Sequence, residues 1–577
     1  MALYGDKLRD TLKLALAKTG LLPTAQWILR TKPVSRYRYR RPYHRRFREF
    51  RRQYGHLFQD SLNGAGRQKK TALVCSVHFP EVELELGLIK ALELAGFKIV
   101  VLIEREGWLL EKYYKMAAIK EIHLWSEFTD PPDFTLAEAA IGRFRSTQEL
   151  MAFEYDGARV GTFAISTALR QLKLASLNLQ SPRDRQILVK YVASGMAYAK
   201  AAQRILRKFR PELAVFVDIG YTPKGELFDH CLANGIDAIA YDLAHKNSTL
   251  MLKRYTLGNR EHHTSSLSRE SWQLVRNMKW TAALLEELHR ELCNSYTSGD
   301  WYSVCGTQFN KHLRDVDQIR RLLGLEPMKK TAFIFPHVLW DASLFYGKCL
   351  FRDYEEWLVE TVRAACSNDQ VNWVIKIHPA HVGKSLRERF QTEPAELTAL
   401  RQHIGELPPH IFMLPAESDI STLSLFELMD WCLTVRGTIG IEASRLGIPV
   451  LTAGTGRYDR KGFTIDSDSR EQYLERVARI QNIPRLSPEQ QELAERFAYS
   501  IFLLRPLPLT TATLKYQYPQ DHGRDSRIGF SEGQINIRNK KDWHSAPDLR
   551  AFAQWVNDTE KPDFLMKLPE TEDRSLS

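Results

Sequence analysis

The sequence has no run of about 18 apolar residues, so no membrane-spanning helix is expected. Its first residues lack a continuous apolar stretch followed by small residues, so no secretory signal is expected either. Cysteine is sparse: Cys75, Cys231, Cys293, Cys305, Cys349, Cys366 and Cys432 are odd in number and never spaced CxxC. That pattern argues against a disulfide framework or a zinc site and fits buried thiols in a reducing cytoplasm. Neither G-x-G-x-x-G nor a P-loop is present, and there is no internal repeat or low-complexity tract. What remains is 577 residues, 44% hydrophobic and 11% aromatic, enough for more than one folded domain.

Charge is unevenly placed. Residues 1–56 hold 15 Lys or Arg and 3 Asp or Glu, leaving 66 of each sign for the rest, so the whole excess of +12 sits in one N-terminal segment. Within this basic arm (1–66) Leu8 to Ala17 carries leucines at helical spacing. Arg36 to Arg52 then interleaves arginines with aromatics. The segment reads as a solvated arm, or as a contact for an anionic membrane surface; nucleic acid is not the expected partner.

From Lys70 the pattern alternates. Apolar runs at 71–77, 97–103, 211–218 and 236–241, separated by helical stretches ending at Gly96 and Gly235, predict parallel strands in a first Rossmann-like domain, residues 67–325. Its last strand runs into a polar connector (about 242–280) rich in His, Lys, Arg and Ser. Lys246, Arg254, His262 and His263 there are candidate ligand contacts. A second alternation over 326–497 has strands at 331–335, 372–377, 411–414, 431–435 and 449–452, and predicts a second Rossmann-like domain. Residues 498–577 read as a partly helical tail.

Two such domains in tandem predict an α/β fold of GT-B type, with donor and acceptor meeting in a cleft between them. Chemistry there needs cations or N–H groups on a leaving phosphate and a carboxylate or His to take a proton. Val371 to Phe463 supplies the first. Lys376 and His378 end one strand, and the turn Arg436-Gly437-Thr438 lets backbone approach a phosphate, with Thr438 placed to cap a helix. Glu442, one turn on, is in reach of ribose hydroxyls. Asp218, at the tip of a first-domain strand, is the expected catalytic base, with Glu81 and Glu83 behind it.

Several blocks together resemble bacterial capsular polysaccharide biosynthesis proteins. They are Phe335-Pro-His337-Val-Leu-Trp-Asp341, Val374-Ile-Lys-Ile-His-Pro-Ala380, Leu407-Pro-Pro-His-Ile411, Pro415 to Leu428 (with Ser418, Ser421 and Thr422), Gly437 to Ala443 and Lys461-Gly-Phe-Thr464. The set covers about 331–466, and Asp242 to Trp272 resembles that family's connector. Arg436 stands where the family usually has an aromatic, hydroxyl-rich turn, and His337 where Asn is common. The resemblance implies a GT-B glycosyltransferase with no cofactor beyond its nucleotide-sugar donor substrate, and His337, Asp341, Ser418, Ser421 and Thr422 among its ligand-binding residues. It implies a polysaccharide or lipid-linked glycan acceptor and, for His378, contact with the donor phosphate, as the His-Pro element has in sialic acid and Kdo capsule transferases. With no metal-ligand cluster in the sequence, transfer is expected to be metal-independent, in the cytoplasm or peripherally at the inner face of the plasma membrane. A sugar-nucleotide epimerase and a non-catalytic assembly or export protein are the alternatives.

Overall fold

The computed structural model describes residues 33–62, 70–76, 81–104, 107–388, 390, 392–516 and 531–566, with side chains of 33–42, 531 and 532 left aside. The leucine-bearing stretch Leu8 to Ala17 lies outside the described residues. Among them, no helix is long and apolar enough to cross a membrane.

The fold is α/β, with two Rossmann-like domains of GT-B arrangement. The first sheet contains β1 (Lys70–Cys75), β2 (Phe97–Ile103), β3 (Glu121–Leu124), β4 (Leu213–Phe216), β5 (Asp237–Leu243) and β6 (Thr249–Tyr255). The second contains β7 (Thr331–Ile334), β8 (Asn372–Lys376), β9 (Ile411–Leu414), β10 (Trp431–Thr434), β11 (Val450–Thr452) and β12 (Ile465–Asp466). All second-sheet pairings are parallel, in the order β12-β11-β10-β7-β8-β9. That is the doubly wound order whose direction reverses between β7 and β10, the position at which open α/β sheets hold ligands. The first sheet repeats the arrangement through β3-β2-β1-β4-β5, all parallel.

The strands are short, nearly continuous apolar runs because helices cover both faces. In β8, Trp373 and Ile375 enter the core with Trp357, while Val374 faces the opposite core with Ile439 and Leu425. The alternation predicted from 70 and from 331 is therefore present, with the strands slightly shorter than expected.

Three regions differ from the sequence expectation. First, the polar connector contains β6, paired antiparallel with β5 over Ala238–Leu243 and Leu250–Tyr255. Its charges are hidden rather than solvated: Lys253 Nζ lies 2.7 Å from Asp563, both wholly buried, and Arg254 bonds Asp237 and the carbonyls of Val556, Asp558 and Lys561.

Second, the tail is integral to the first domain. β13 (Pro506–Pro508) extends the first sheet antiparallel to β6, β14 (Ala512–Tyr516) and β15 (Ser531–Ile535) form a hairpin, and Trp543, Leu549, Phe552 and Trp555 join the core around β1 and β2.

Third, the arginine-rich run is a docked helix, Pro33–Phe58, and not a free arm. Phe47, Phe50, Tyr54, Leu57 and Phe58 are buried in the first core, Arg46 pairs with buried Glu83 at 2.7 Å, and Trp543 Nε1 donates to the Leu57 carbonyl. Phe47, Phe50, Tyr54, Leu57 and Phe58 recur at helical spacing, and the apolar face they make is covered.

Candidate functional site

The C-terminal strand edges of the two sheets meet. After β4, Tyr221 donates from its hydroxyl to Asp341 at 3.0 Å and accepts from the Ala342 amide. A Cβ on Gly220 would stand 2.0 Å from the Phe345 ring, so only glycine admits the second domain's loop there. From the connector, Ser265 accepts a bond from Arg457 Nε at 3.0 Å, and His263 lies 4.5 Å from the Tyr346 ring.

At the reversal point of the second sheet stands Arg436. Its amide donates to His337 Nε2 at 3.2 Å, which ties the loop after β10 to the loop after β7. Its guanidinium is 3% exposed, and only Nη2 is engaged, on the Lys348 carbonyl. Nε and Nη1 have no hydrogen-bond partner, and no carboxylate pairs with Arg436 among the described residues. Burying such donors unpaired costs about 1–3 kcal/mol each. An uncompensated guanidinium at a strand-edge crevice is the signature of an anion site whose ligand supplies the missing acceptors.

Other groups at the C-terminal ends of this sheet have the matching character. His378 accepts the Ala380 amide at Nδ1 (3.1 Å), which leaves the ring proton on Nε2. Burial, then Lys376 and Lys384, push its pKa down to about 3, so it is a neutral N–H donor at physiological pH. Lys376, 5% exposed at the end of β8, is pushed down to about 7 by burial and by Lys311. His337 stacks on Tyr354 at 4.4 Å and is held neutral by burial and by Arg436. Gly437 allows tight closure of the turn: an added Cβ would sit 2.9 Å from Thr434 Oγ1, and Tyr458 donates to its carbonyl at 2.8 Å.

Opposite, on the first sheet, β4 and β5 run in register with Phe216 beside Ala240. Asp218 and Asp242 each follow that pair by two residues. Asp218 is exposed in a left-handed backbone conformation (φ 61°). Asp242 is half-buried, and burial and then Asp218 push its pKa up to about 7. The second sheet's strand edge thus carries cations and N–H donors, and the first sheet's carries two carboxylates.

Other sequence candidates have different work. Glu442 is 3% exposed and accepts a hydrogen bond from the Tyr296 hydroxyl; burial raises its pKa to about 7. A carboxyl so enclosed is not presented to a ribose. Thr438 makes no side-chain cap, and the helix it precedes, Ile439–Ser444, is only six residues long. Asp341 is held below the ordinary carboxylate range by Lys384 and Arg170 although burial pushes the other way. With Arg170 Nε at 3.2 Å and Lys384 also on it, Asp341 is an interdomain ion-pair centre rather than a free ligand group. Arg170 and Lys173 extend that network to Glu388, and Lys173 Nζ lies 4.1 Å from the Trp340 ring centre.

Ser421 caps the helix Thr422–Leu425 through the Leu423 amide, Thr422 is that helix's first residue, and Ser418 accepts the Ile420 amide. Lys246 pairs with Glu291 at 2.7 Å. Arg254, as described above, anchors the tail. Glu83 is taken by Arg46 and Tyr113, and Glu81 accepts from Tyr516, which removes both as bases for this crevice.

Sequence reasoning missed Arg457 and Asp242. Arg457 donates Nη1 to the Arg436 carbonyl at 3.2 Å and Nε to Ser265, so it bolts the loop after β10 to the connector. Its signal was the glycine-bearing stretch Ala453-Gly454-Thr455-Gly456 directly after β11.

No family model matches the chain, and no curated protein matches it. Solved structures similar to it include Thermosulfurimonas dismutans KpsC, a beta Kdo 2,4 transferase, at 12% identity over 52% of this chain and 80% of that one, TM-score 0.31. UDP-GlcNAc 2-epimerase from Neisseria meningitidis bound to UDP-GlcNAc is similar at 11% identity over 74% and 97%, TM-score 0.25. Anabaena Alr3699/HepE in complex with UDP and glucose is similar at 11% over 74% and 93%, TM-score 0.25. The architecture rests on the chain's own sheet order, not on these low scores.

Proposed function

We propose that this protein is a glycosyltransferase that moves a sugar from a nucleotide-sugar donor to a capsular or other surface polysaccharide, or to a lipid-linked glycan, at the inner face of the plasma membrane. The observation that carries the reading is the Arg436 guanidinium, buried with two unpaired N–H groups at the reversal point of the second sheet. A donor phosphate satisfies both, with Lys376 and the Nε2–H of His378 as further partners. In the transfer step the acceptor oxygen bonds to the anomeric carbon while the bond from that carbon to the phosphate oxygen breaks. The electron pair leaves on the phosphate, and the acceptor proton passes to Asp218. A wall of Arg, Lys and neutral His N–H groups suits a phosphate and repels a divalent cation, which supports transfer without a metal or other cofactor.

Thermal unfolding of the purified protein with nucleoside mono- and diphosphates tests the donor site; no shift with any of them refutes it. Product analysis with and without a glycan acceptor then separates transfer from epimerisation of the donor alone. If Asp218→Asn and His378→Ala both leave polymer production intact, the protein serves assembly rather than catalysis.

A further inference from the structure

The helix Pro33–Phe58 presents a second surface, unconnected with the donor crevice. Its apolar side is consumed by the first core, through Phe47, Phe50, Tyr54, Leu57 and Phe58. Arg45, Arg48, Arg51 and Arg52 are exposed. Arg45 has only a loose contact with Glu49 at 3.8 Å, and Arg48, Arg51 and Arg52 have no carboxylate partner among the described residues. Arg45, Arg48 and Arg52 follow one another at helical spacing and so form a stripe. The helix Leu110–Met116 packs beside it, since a Cβ on Gly55 would lie 3.6 Å from Met116 Sδ, and its exposed Lys115 is paired with Glu111 at 2.6 Å.

We propose that this helix is a rigid electrostatic plate that docks the protein on an anionic lipid surface without inserting into it. Two features select that partner. Over residues 43–58, whose side chains are described, Phe47, Phe50, Tyr54 and Phe58 are buried and Tyr43 packs half-buried on the same core, which removes there the usual means of holding single-stranded nucleic acid. Those side chains and Leu57 are the large apolar groups of residues 43–58, so nothing in that stretch remains to enter the acyl region. What is left is a row of guanidinium groups over the two turns Arg45–Arg52 of a helix fixed by Arg46–Glu83 and Trp543–Leu57, and suited to an array of phosphates. The 15-to-3 charge imbalance of residues 1–56, against neutrality elsewhere, supplies the complementarity.

The test is flotation of the full-length protein with phosphatidylcholine vesicles, with and without phosphatidylserine, at low and high salt, alongside duplex DNA in a matched binding assay. Binding is expected only with phosphatidylserine and should be lost at high salt. The triple variant Arg48→Gln, Arg51→Gln, Arg52→Gln should bind on the order of 100-fold more weakly, from about 1 kcal/mol per basic residue, with thermal unfolding unchanged because all three are exposed. Binding to neutral vesicles, full binding by the triple variant, or tighter binding to duplex DNA than to anionic vesicles each overturns the proposal.

Discussion

Replacing Arg436 by methionine should make the unliganded protein more stable while abolishing its response to nucleotides. The wild-type guanidinium leaves Nε and Nη1 unpaired inside the protein, at about 1–3 kcal/mol per donor. Against this, the variant forfeits one hydrogen bond to the Lys348 carbonyl and a distant contact with Tyr354, 5.9 Å from the ring centre, together about 1–2 kcal/mol. The Lys348 carbonyl is not orphaned, since the Thr455 amide also donates to it at 2.9 Å. Methionine refills most of the volume with a flexible apolar chain. The balance is a gain of about 1–3 kcal/mol, or several degrees in Tm for domains of this size. Ligand should reverse the ranking, because a nucleotide at a hundred times its Kd stabilises wild type by about 2.7 kcal/mol and the variant by almost nothing. The assay is thermal unfolding of both proteins with and without the nucleoside diphosphate that shifts wild type most. A variant that melts below wild type and still responds to nucleotide would show that Arg436 is a structural group and that the anion site lies elsewhere.

Other outcomes follow from buried charge. Lys376, with its pKa pushed down to about 7, should make anion affinity fall as pH rises above about 7, and Lys376→Arg, always charged, should flatten that titration measured by calorimetry. Glu226 is wholly buried with one carboxyl oxygen unpaired, and burial pushes its pKa up to about 8. Its contribution to stability is therefore complete below about pH 4.5 and declines by about 1.4 kcal/mol per pH unit until about pH 8. Glu226→Gln should accordingly match wild type near pH 5 and exceed it near pH 8 in denaturant titrations; parallel curves would refute the assignment. Asp563 lies beside Lys253 at 2.7 Å and Arg505 at 3.4 Å with no exposure of any of the three, and those two cations hold its pKa below the ordinary range although burial opposes them. Asp563→Asn should cost about 3–5 kcal/mol at neutral pH, a deficit that shrinks as pH falls below about 4, where wild type loses the same charge. Asp341→Ala should loosen the domain contact by stranding Lys384 and leaving Arg170 to Glu388 alone, seen as faster proteolysis of the loops between the domains.

The sequence by itself determined the two alternating α/β units and the second domain's strand ends. Fully covered parallel strands must be short continuous apolar runs, and Lys376, His378 and Arg436 stand where such runs stop. It also showed that the positive excess is confined to the first 56 residues. Only tertiary structure decided which polar groups are free. Arg254, Asp341 and Glu442 read in one dimension as ligand groups, but partners up to 307 residues away claim them: Lys561 for Arg254, Arg170 for Asp341, Tyr296 for Glu442. The same held for β6, whose Lys253 and Arg254 disguised a buried strand until Asp563 and the tail's carbonyls neutralised them. It held again for the arginine-rich run, whose Phe47 and Phe50 found a core built largely by later residues. Apolar periodicity is a local property of the chain and can be read from it. Whether a charge is paired depends on long-range contacts, and those decide that Arg436 keeps two N–H groups without a protein acceptor.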